Sequence, residues 1–227
     1  DSRSVKARNL PRWLSGTVMS LALKSRTCSS YSEMSVGWAS FGISWLSQPA
    51  GFMAARSHTL LDLDRCPILV AALVPAFDIA RAIGEKVGDC DVALTATDGG
   101  IDASVRAERE IVEQEMAKFA ALAASLRLAR LSVNGSAVVA ERPPLIRMGK
   151  ADVAIPPVSF LQATAEGEAV LARLVTEAIG KSRAVADLFS GCGPFTFRLA
   201  ETAKVWAYDS DRPAIAALAA AARVTIQ

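Results

Sequence analysis

Residues 185–200 read VADLFSGCGPFTFRLA. A short apolar run ends at Asp187, glycines follow at Gly191 and Gly193, then Pro194, then an amphipathic segment. This is the pattern of a β-strand, a tight turn and a helix. It repeats around the turn. VAIPPVSFLQAT leads into a predicted helix at 164–180 and a strand at 183–189. A helix at 195–203, a strand at 204–209 and a helix at 213–223 follow. Strands alternating with helices predict a parallel sheet with crossover helices. A sheet of this kind usually has about five or more strands, so the one predicted here is incomplete. The chain opens on Asp1 and stops just after a helical stretch, so both ends are expected to be cuts in a longer chain.

In an open parallel sheet, ligands sit beyond the carboxyl ends of the strands. The turn Ser190-Gly191-Cys192-Gly193 lies at such an end. Glycine lets the backbone take positive φ and lets a ligand approach with no Cβ in the way. The next strand, VWAYDSD (205–211), delivers Asp209, 22 residues after Asp187. A carboxylate at about that distance is the usual acceptor for ribose hydroxyls. The third glycine of a dinucleotide fingerprint is missing, because Thr196 stands there, and Pro194 removes one N–H that a pyrophosphate would use. The turn therefore suits a nucleoside without phosphate, and S-adenosylmethionine (SAM) is such a ligand. The competing reading is a structural βα turn in an unrelated α/β protein.

Outside this block the chain is less uniform. It has 227 residues, 52% of them hydrophobic but only 6% aromatic, and a net charge of +2. That balance supports a packed core and does not announce a nucleic-acid partner. Cys28, Cys66, Cys90 and Cys192 are widely spaced, so free thiols in a reducing cytoplasm are expected rather than a disulfide framework. Residues 1–50 scatter serine and tryptophan with no period of 2 or 3.6 and form a poorly specified N-terminal segment. No charge falls between Met34 and Ala55, yet Ser, Gly, Gln48 and Pro49 break the run, so a membrane span is not expected. WLSGTVMSLAL (13–23) resembles a signal-peptide core only weakly.

Residues 51–150 read as an α+β central domain. HTLLDL (58–63) is a predicted strand. Pro67 opens a helical pattern that Pro75 should kink or split. DVALTAT (91–97) and IDASVRA (101–107) form a hairpin about Asp98-Gly99-Gly100. A helix over 108–129 and two strands around Asn134-Gly135 complete the block. Residues 151–227 form the third unit, an incomplete SAM-binding domain. The predicted fold class is α/β: a partial Rossmann-like sheet behind a smaller α+β domain.

DLFSGCGPF (187–195) resembles the first motif of class I SAM-dependent methyltransferases, and more narrowly of the RNA uracil-5-methyltransferases that act on 23S ribosomal RNA. SFLQAT (159–164) resembles that family's F-x-Q segment, HTLLDLDRCPIL (58–69) its strand–Cys–Pro–helix segment, and VWAYDSD its second acidic strand. The resemblance covers roughly residues 51–223. It implies that Gln162 contacts SAM, that Phe189 and the turn Ser190-Gly191-Cys192-Gly193 line it, and that Asp209 is the ribose acid, usually Glu in the family. Pro194 stands where many members carry a polar residue.

The departures count as much. Cys66 matches the fourth cysteine of an iron–sulfur cluster found in many members. Four thiolates are needed, and residues 1–57 offer only Cys28, so no metal site is expected. The family's N-terminal RNA-binding β-barrel has no matching strand pattern in residues 1–50, and a shifted frame or foreign segment would explain both features. The resemblance implies methyl transfer to C5 of uracil in RNA, a cytoplasmic protein and an RNA partner. The family's nucleophilic cysteine and carboxylate base belong to later motifs, so no catalytic residue is expected in this chain. Cys192 belongs to the cofactor turn, and His58 reads as a strand-edge residue. Two other readings stay open: a non-catalytic SAM-binding remnant, and a SAM methyltransferase with another substrate.

Overall fold

A computed structural model of the chain describes residues 21–25, 48–57 and 59–225. Cys28, His58 and the tryptophans at 13, 38 and 45, with most of the weak signal-like and uncharged stretches, lie outside the described residues.

The first unit is a seven-stranded sheet. In chain order its strands are β1 (Leu21–Ser25), β2 (Ala50–Met53), β3 (Leu60–Asp62), β4 (Cys90–Thr97), β5 (Gly100–Ala107), β6 (Leu128–Val133) and β7 (Ser136–Ala140). In space they run β3-β2-β1-β4-β5-β6-β7. The sequence offered no element in residues 1–50, yet β1 lies there. LALKS has no strand periodicity of its own. What makes it a strand is its position between β4, with Leu21 opposite Leu94, and β2, with Lys24 opposite Gly51. Such tertiary pairing overrides local propensity.

The two expected hairpins are present. β4 and β5 pair through Thr97 and Gly100, and β6 and β7 through Val133 and Ser136. Asn134 and Gly135 both take positive φ, 49° and 82°, as a two-residue turn between twisted strands requires. β5 and β6 are parallel and joined through α2 (Met116–Ser125).

Both helices of this unit are shorter than the sequence predicts. α1 is Ala76–Val87, not a helix from Pro67, and only a 3-10 turn at Ala71–Leu73 precedes it. Pro75 splits the pattern and sits at the helix start, where its missing N–H is harmless. α2 begins at Met116 rather than 108. The Arg109 guanidinium donates to both Glu115 carboxylate oxygens (2.8 and 3.0 Å) and to the carbonyls of Lys86 and Val87. That clamp ties residue 109 to the end of α1. At the other end Arg127 takes φ of 54° and turns the chain into β6. The core between helices and sheet is built on Phe77, Ile83, Leu94, Leu128 and Leu131. Phe52 meets Phe77 edge-to-face at 6.0 Å, joining β2 to α1.

The second unit holds an antiparallel hairpin, β8 (Leu145–Met148) and β9 (Ala151–Ala154), and a parallel pair, β10 (Ala184–Leu188) and β11 (Lys204–Tyr208). Its helices are α3 (Ala165–Ile179), α4 (Thr196–Leu199) and α5 (Arg212–Thr225). The sequence missed β8 and β9. Ile146 and Met148 from one arm and Ala151 and Val153 from the other share a core with Cys192, Phe197 and Leu218. A boundary between 150 and 151 therefore falls inside this hairpin. α4 is only four residues long, against the nine predicted. The chain must turn back at once, because the Lys204 N–H pairs with the Arg183 carbonyl (2.9 Å) to begin the parallel strand.

One buried ion pair links the units. Arg130 on β6 donates to both oxygens of Asp102 on β5 (2.8 Å each) and to the carbonyl of Ile155, just after β9 (2.8 Å). Both side chains are buried. Removing one partner strands the other charge in the interior. Arg130→Met is expected to lower unfolding free energy by about 3–5 kcal/mol in urea titration, while Asp102→Leu with Arg130→Met recovers most of it. Equal losses in the single and double variants would contradict this.

Candidate cofactor-binding site

The site forms at the carboxyl ends of β10 and β11. The two strands run parallel from Ala184 opposite Lys204 to Leu188 opposite Tyr208. Two residues beyond Leu188, the Ser190 N–H donates to the Tyr208 carbonyl (3.1 Å). The backbone then reverses. Phe189, Gly191 and Gly193 all take positive φ: 62°, 53° and 97°. The Gly193 N–H closes the turn onto the Ser190 carbonyl (2.9 Å).

The two glycines are required for different reasons. A Cβ on Gly193 would stand 2.9 Å from both Leu218 Cδ1 and Phe197 Cε2, so this residue lets the turn lie against α4 and α5. A Cβ on Gly191 would meet nothing within 4 Å. Gly191 therefore faces open space, where a bare backbone permits close approach.

Asp209 reaches the turn. Its Oδ2 accepts from the Gly191 N–H (2.7 Å) and its Oδ1 from the Asp211 N–H (2.8 Å). These backbone donors, Asp211 first and then Gly191, hold the carboxyl below its ordinary value of 3.8. Asp209 is thus an anion at neutral pH. A carboxylate has about four acceptor positions, and with a further backbone hydrogen bond from Ser210 at least one remains for another donor. Asp187 does something else. Its Oδ2 accepts from the Thr196 hydroxyl (2.5 Å), tying the end of β10 to the start of α4.

The remaining predicted residues are placed around this centre. Phe189 is 88% exposed at the mouth. Ser190 is buried, and its Oγ has no partner among the described residues. Pro194 turns its carbonyl to Arg198, which donates to it. Gln162 is half-buried in the stretch between β9 and α3 and makes no hydrogen bond among the described residues. It does not touch the turn in any hydrogen bond, but its neighbour Ser159 does, through a 3.7 Å contact between Ser159 Oγ and Cys192 Sγ. The sequence reading missed Thr196 as the partner of Asp187, although it flagged that position for its missing glycine. It also missed Arg198 and Glu168. A lone arginine within the apolar run FTFRLA was the available signal.

The thiols bear on chemistry and on metals. Burial, with smaller pushes from Asp211 and Asp209, raises the Cys192 thiol, while the Ser159 hydrogen bond opposes the rise. Cys90 is pushed up to about 12, chiefly by burial and then by Asp91 and Asp89. Neither is a thiolate at neutral pH, so neither is a ready nucleophile. Among the described residues no group of three or more His, Cys, Asp or Glu is placed to hold a metal ion, and Cys66, Cys90 and Cys192 are free thiols. No described helix is long and apolar enough to cross a membrane.

No family model matches the chain. Individual proteins do. An uncharacterized RNA methyltransferase of Brucella melitensis is 38% identical over 172 residues, 74% of this chain and 41% of the relative. Another from Caulobacter vibrioides is 40% identical over 181 residues, 75% of this chain and 43% of the relative. The 23S rRNA (uracil(1939)-C(5))-methyltransferase of Halomonas elongata is 31% identical over 176 residues, 66% of this chain and 35% of the relative. The chain thus spans about two-fifths of the length of the curated relatives it matches. Among solved structures, Pyrococcus abyssi tRNA (uracil-54, C5)-methyltransferase, in complex with S-adenosyl-L-homocysteine, superposes with a TM-score of 0.62 at 18% identity. The match covers 78% of this chain and 49% of that one. That likeness gives the fold, a mixed α/β arrangement of the class I methyltransferase type. Over roughly two-thirds to three-quarters of its length the chain is thus similar to RNA methyltransferases, among them a uracil-C5 enzyme of ribosomal RNA.

Proposed function

We propose that the chain binds SAM at the glycine turn and serves methyl transfer to C5 of uracil in RNA, with ribosomal RNA as the substrate class. The contact between Asp209 and the Gly191 N–H carries this reading, because it puts an ionised acid beside an open stretch of backbone. SAM, when bound, supplies a methyl group activated on a sulfonium. The chain's own residues would hold it. Asp209 accepts from the ribose hydroxyls, Gly191 admits the adenosine, and the unengaged amide of Gln162 meets the amino-acid end. The orphaned Ser190 hydroxyl and the exposed Phe189 fit a site that a ligand completes.

None of the described cysteines supplies the nucleophile that adds to uracil C6. Cys90 and Cys192 are buried thiols, and Cys66 lies at the start of the Pro67 segment, in the first unit. In this reading the residues described here bind and position, and the C5 chemistry draws on groups elsewhere in the protein. The RNA partner and a cytoplasmic location belong to the same proposal, supported by the RNA-modifying relatives.

Two measurements test the site. Gly191→Ala should lower stability by only about 1–2 kcal/mol, the cost of a left-handed alanine, yet weaken S-adenosylhomocysteine binding in calorimetry. Gly193→Ala should cost more stability, about 3 kcal/mol, because strain adds to the clash with Leu218 and Phe197. The reverse order of effects would refute the assignment of Gly191 to the ligand side.

Asp209→Ala should weaken the same ligand roughly tenfold or more, because the ribose donors lose a charged acceptor. The folded pKa of Asp209 is depressed, so its contribution is present above 3.8 and lost only as pH falls through the lower folded value. An affinity unchanged by Asp209→Ala, or one lost between pH 8 and roughly pH 6, contradicts the role.

A further inference from the structure

The cofactor site has two halves that come from different parts of the chain. One is the glycine turn after β10. The other is the stretch carrying Gln162, which continues into α3 through the Thr164 cap, whose hydroxyl accepts from the Gly167 N–H (3.0 Å). Two direct joins between these halves are visible: a long sulfur contact between Cys192 and Ser159, and the burial of Leu161 in one apolar cluster with Cys192, Phe197 and Leu218.

A further connection lies one layer out. Glu168 sits in the first turn of α3, six residues after Gln162, and its side chain is only 5% exposed. A carboxylate buried to that degree needs a partner. It has one in Arg198 on α4, whose Nη1 lies 2.9 Å from Glu168 Oε1. The same Nη1 donates to the carbonyl of Pro194, the residue that follows the glycine turn. The arginine is also wedged from behind. A Cβ on Gly149, at the tip of the β8–β9 hairpin, would stand 3.2 Å from Arg198 Cγ, so the glycine there makes room for its stem. At the same tip, Lys150 pairs with Glu201 just beyond α4 (3.2 Å). One nitrogen thus ties the turn to the helix that follows Gln162, and the hairpin tip keeps its side chain in line.

We propose that the Glu168–Arg198 pair is a positioning device for the cofactor, setting the gap between the Gln162 stretch and the glycine turn. This rests on the reading of the turn as the SAM site. Neither residue touches the ligand in this scheme. They act by fixing two surfaces that must close on it, and small displacements of such surfaces weaken binding steeply. The buried charge gives the device its stiffness. A neutral contact would tolerate drift, whereas an ion pair removed from water holds its geometry or leaves an uncompensated charge.

The test compares affinity with stability, because a merely structural role moves both together. S-adenosylhomocysteine is titrated calorimetrically into the 227-residue chain and into Glu168→Ala, Arg198→Ala, the double variant, Glu168→Gln and Arg198→Lys, with each Tm measured in parallel. Val153→Ala, in the shared core, serves as a stability control.

Each single alanine variant should weaken binding about tenfold or more, and the double variant no further than the weaker single. Glu168→Gln, which keeps an acceptor for the guanidinium but leaves its charge uncompensated, should regain only part of the affinity. Arg198→Lys should fold yet bind poorly, because an ammonium on a shorter stem cannot span both partners. Val153→Ala should lose stability and keep its affinity within about twofold. Arg198→Lys and Glu168→Gln stay informative should the alanine variants fail to fold. The proposal is overturned by wild-type affinity in Arg198→Lys, or by Val153→Ala losing affinity in step with its Tm. Failure of the wild-type chain to bind the ligand at all would instead overturn the cofactor reading on which the proposal stands.

Discussion

The second unit depends on one short contact, the Gly191 N–H held 2.7 Å from the Asp209 carboxylate. It joins the tips of two parallel strands whose intervening chain includes a helix of only four residues. Parallel strands leave their carboxyl ends splayed toward solvent, with backbone groups that need partners. Here the acid supplies them. It takes one N–H from the turn and one from its own strand's exit at Asp211, and both donors keep it ionised. The contact is therefore structural and electrostatic together. It sets the shape of the bend and keeps a negative charge beside the open backbone at Gly191.

Around it, the packing explains why the bend does not collapse. Gly193 allows Phe197 and Leu218 to close from behind, and Thr196 fastens Asp187. The hairpin β8–β9 adds its apolar residues to the same core, so the unit has a floor as well as a rim. The larger sheet is connected to it through a charge. Arg130 reaches from β6 to the Ile155 carbonyl while paired with Asp102. Close by, the Val158 N–H donates to the Ser104 hydroxyl of β5 (3.3 Å). The chain from Ile155 to Gln162 is thus pinned to the first unit before it meets the glycine turn. That arrangement makes the first unit a scaffold for the stretch that carries Gln162.

The sequence showed the glycine turn better than it showed the larger sheet. Gly191, Gly193, Asp187 and Asp209 were readable because glycine at positive φ and an acid at a strand end are local requirements with a fixed spacing. Asn134-Gly135 and Asp98-Gly99-Gly100 were readable for the same reason. The missed elements owe their form to distant partners. β1 is a strand because β2 and β4 flank it. β8 and β9 are too short to show a period. The start of α2 is set by the grip of Arg109 on Glu115 and on the end of α1, and no periodicity within 108–115 reports that. The Glu168–Arg198 pair joins residues 30 apart in sequence, beyond the reach of any pattern read along one helix.

The central claim is that a nucleoside rests on the bend between Phe189 and Gly193 under the hold of Asp209. The most direct measurement is the amide proton–nitrogen spectrum of the labelled chain during titration with S-adenosylhomocysteine. The account predicts that the amides of Ser190, Gly191, Gly193 and Asp211 shift together and saturate at one ligand per chain, while those of Gly135 and Gly180 stay in place. Shifts spread evenly over the chain, or confined to the seven-stranded sheet, would contradict it.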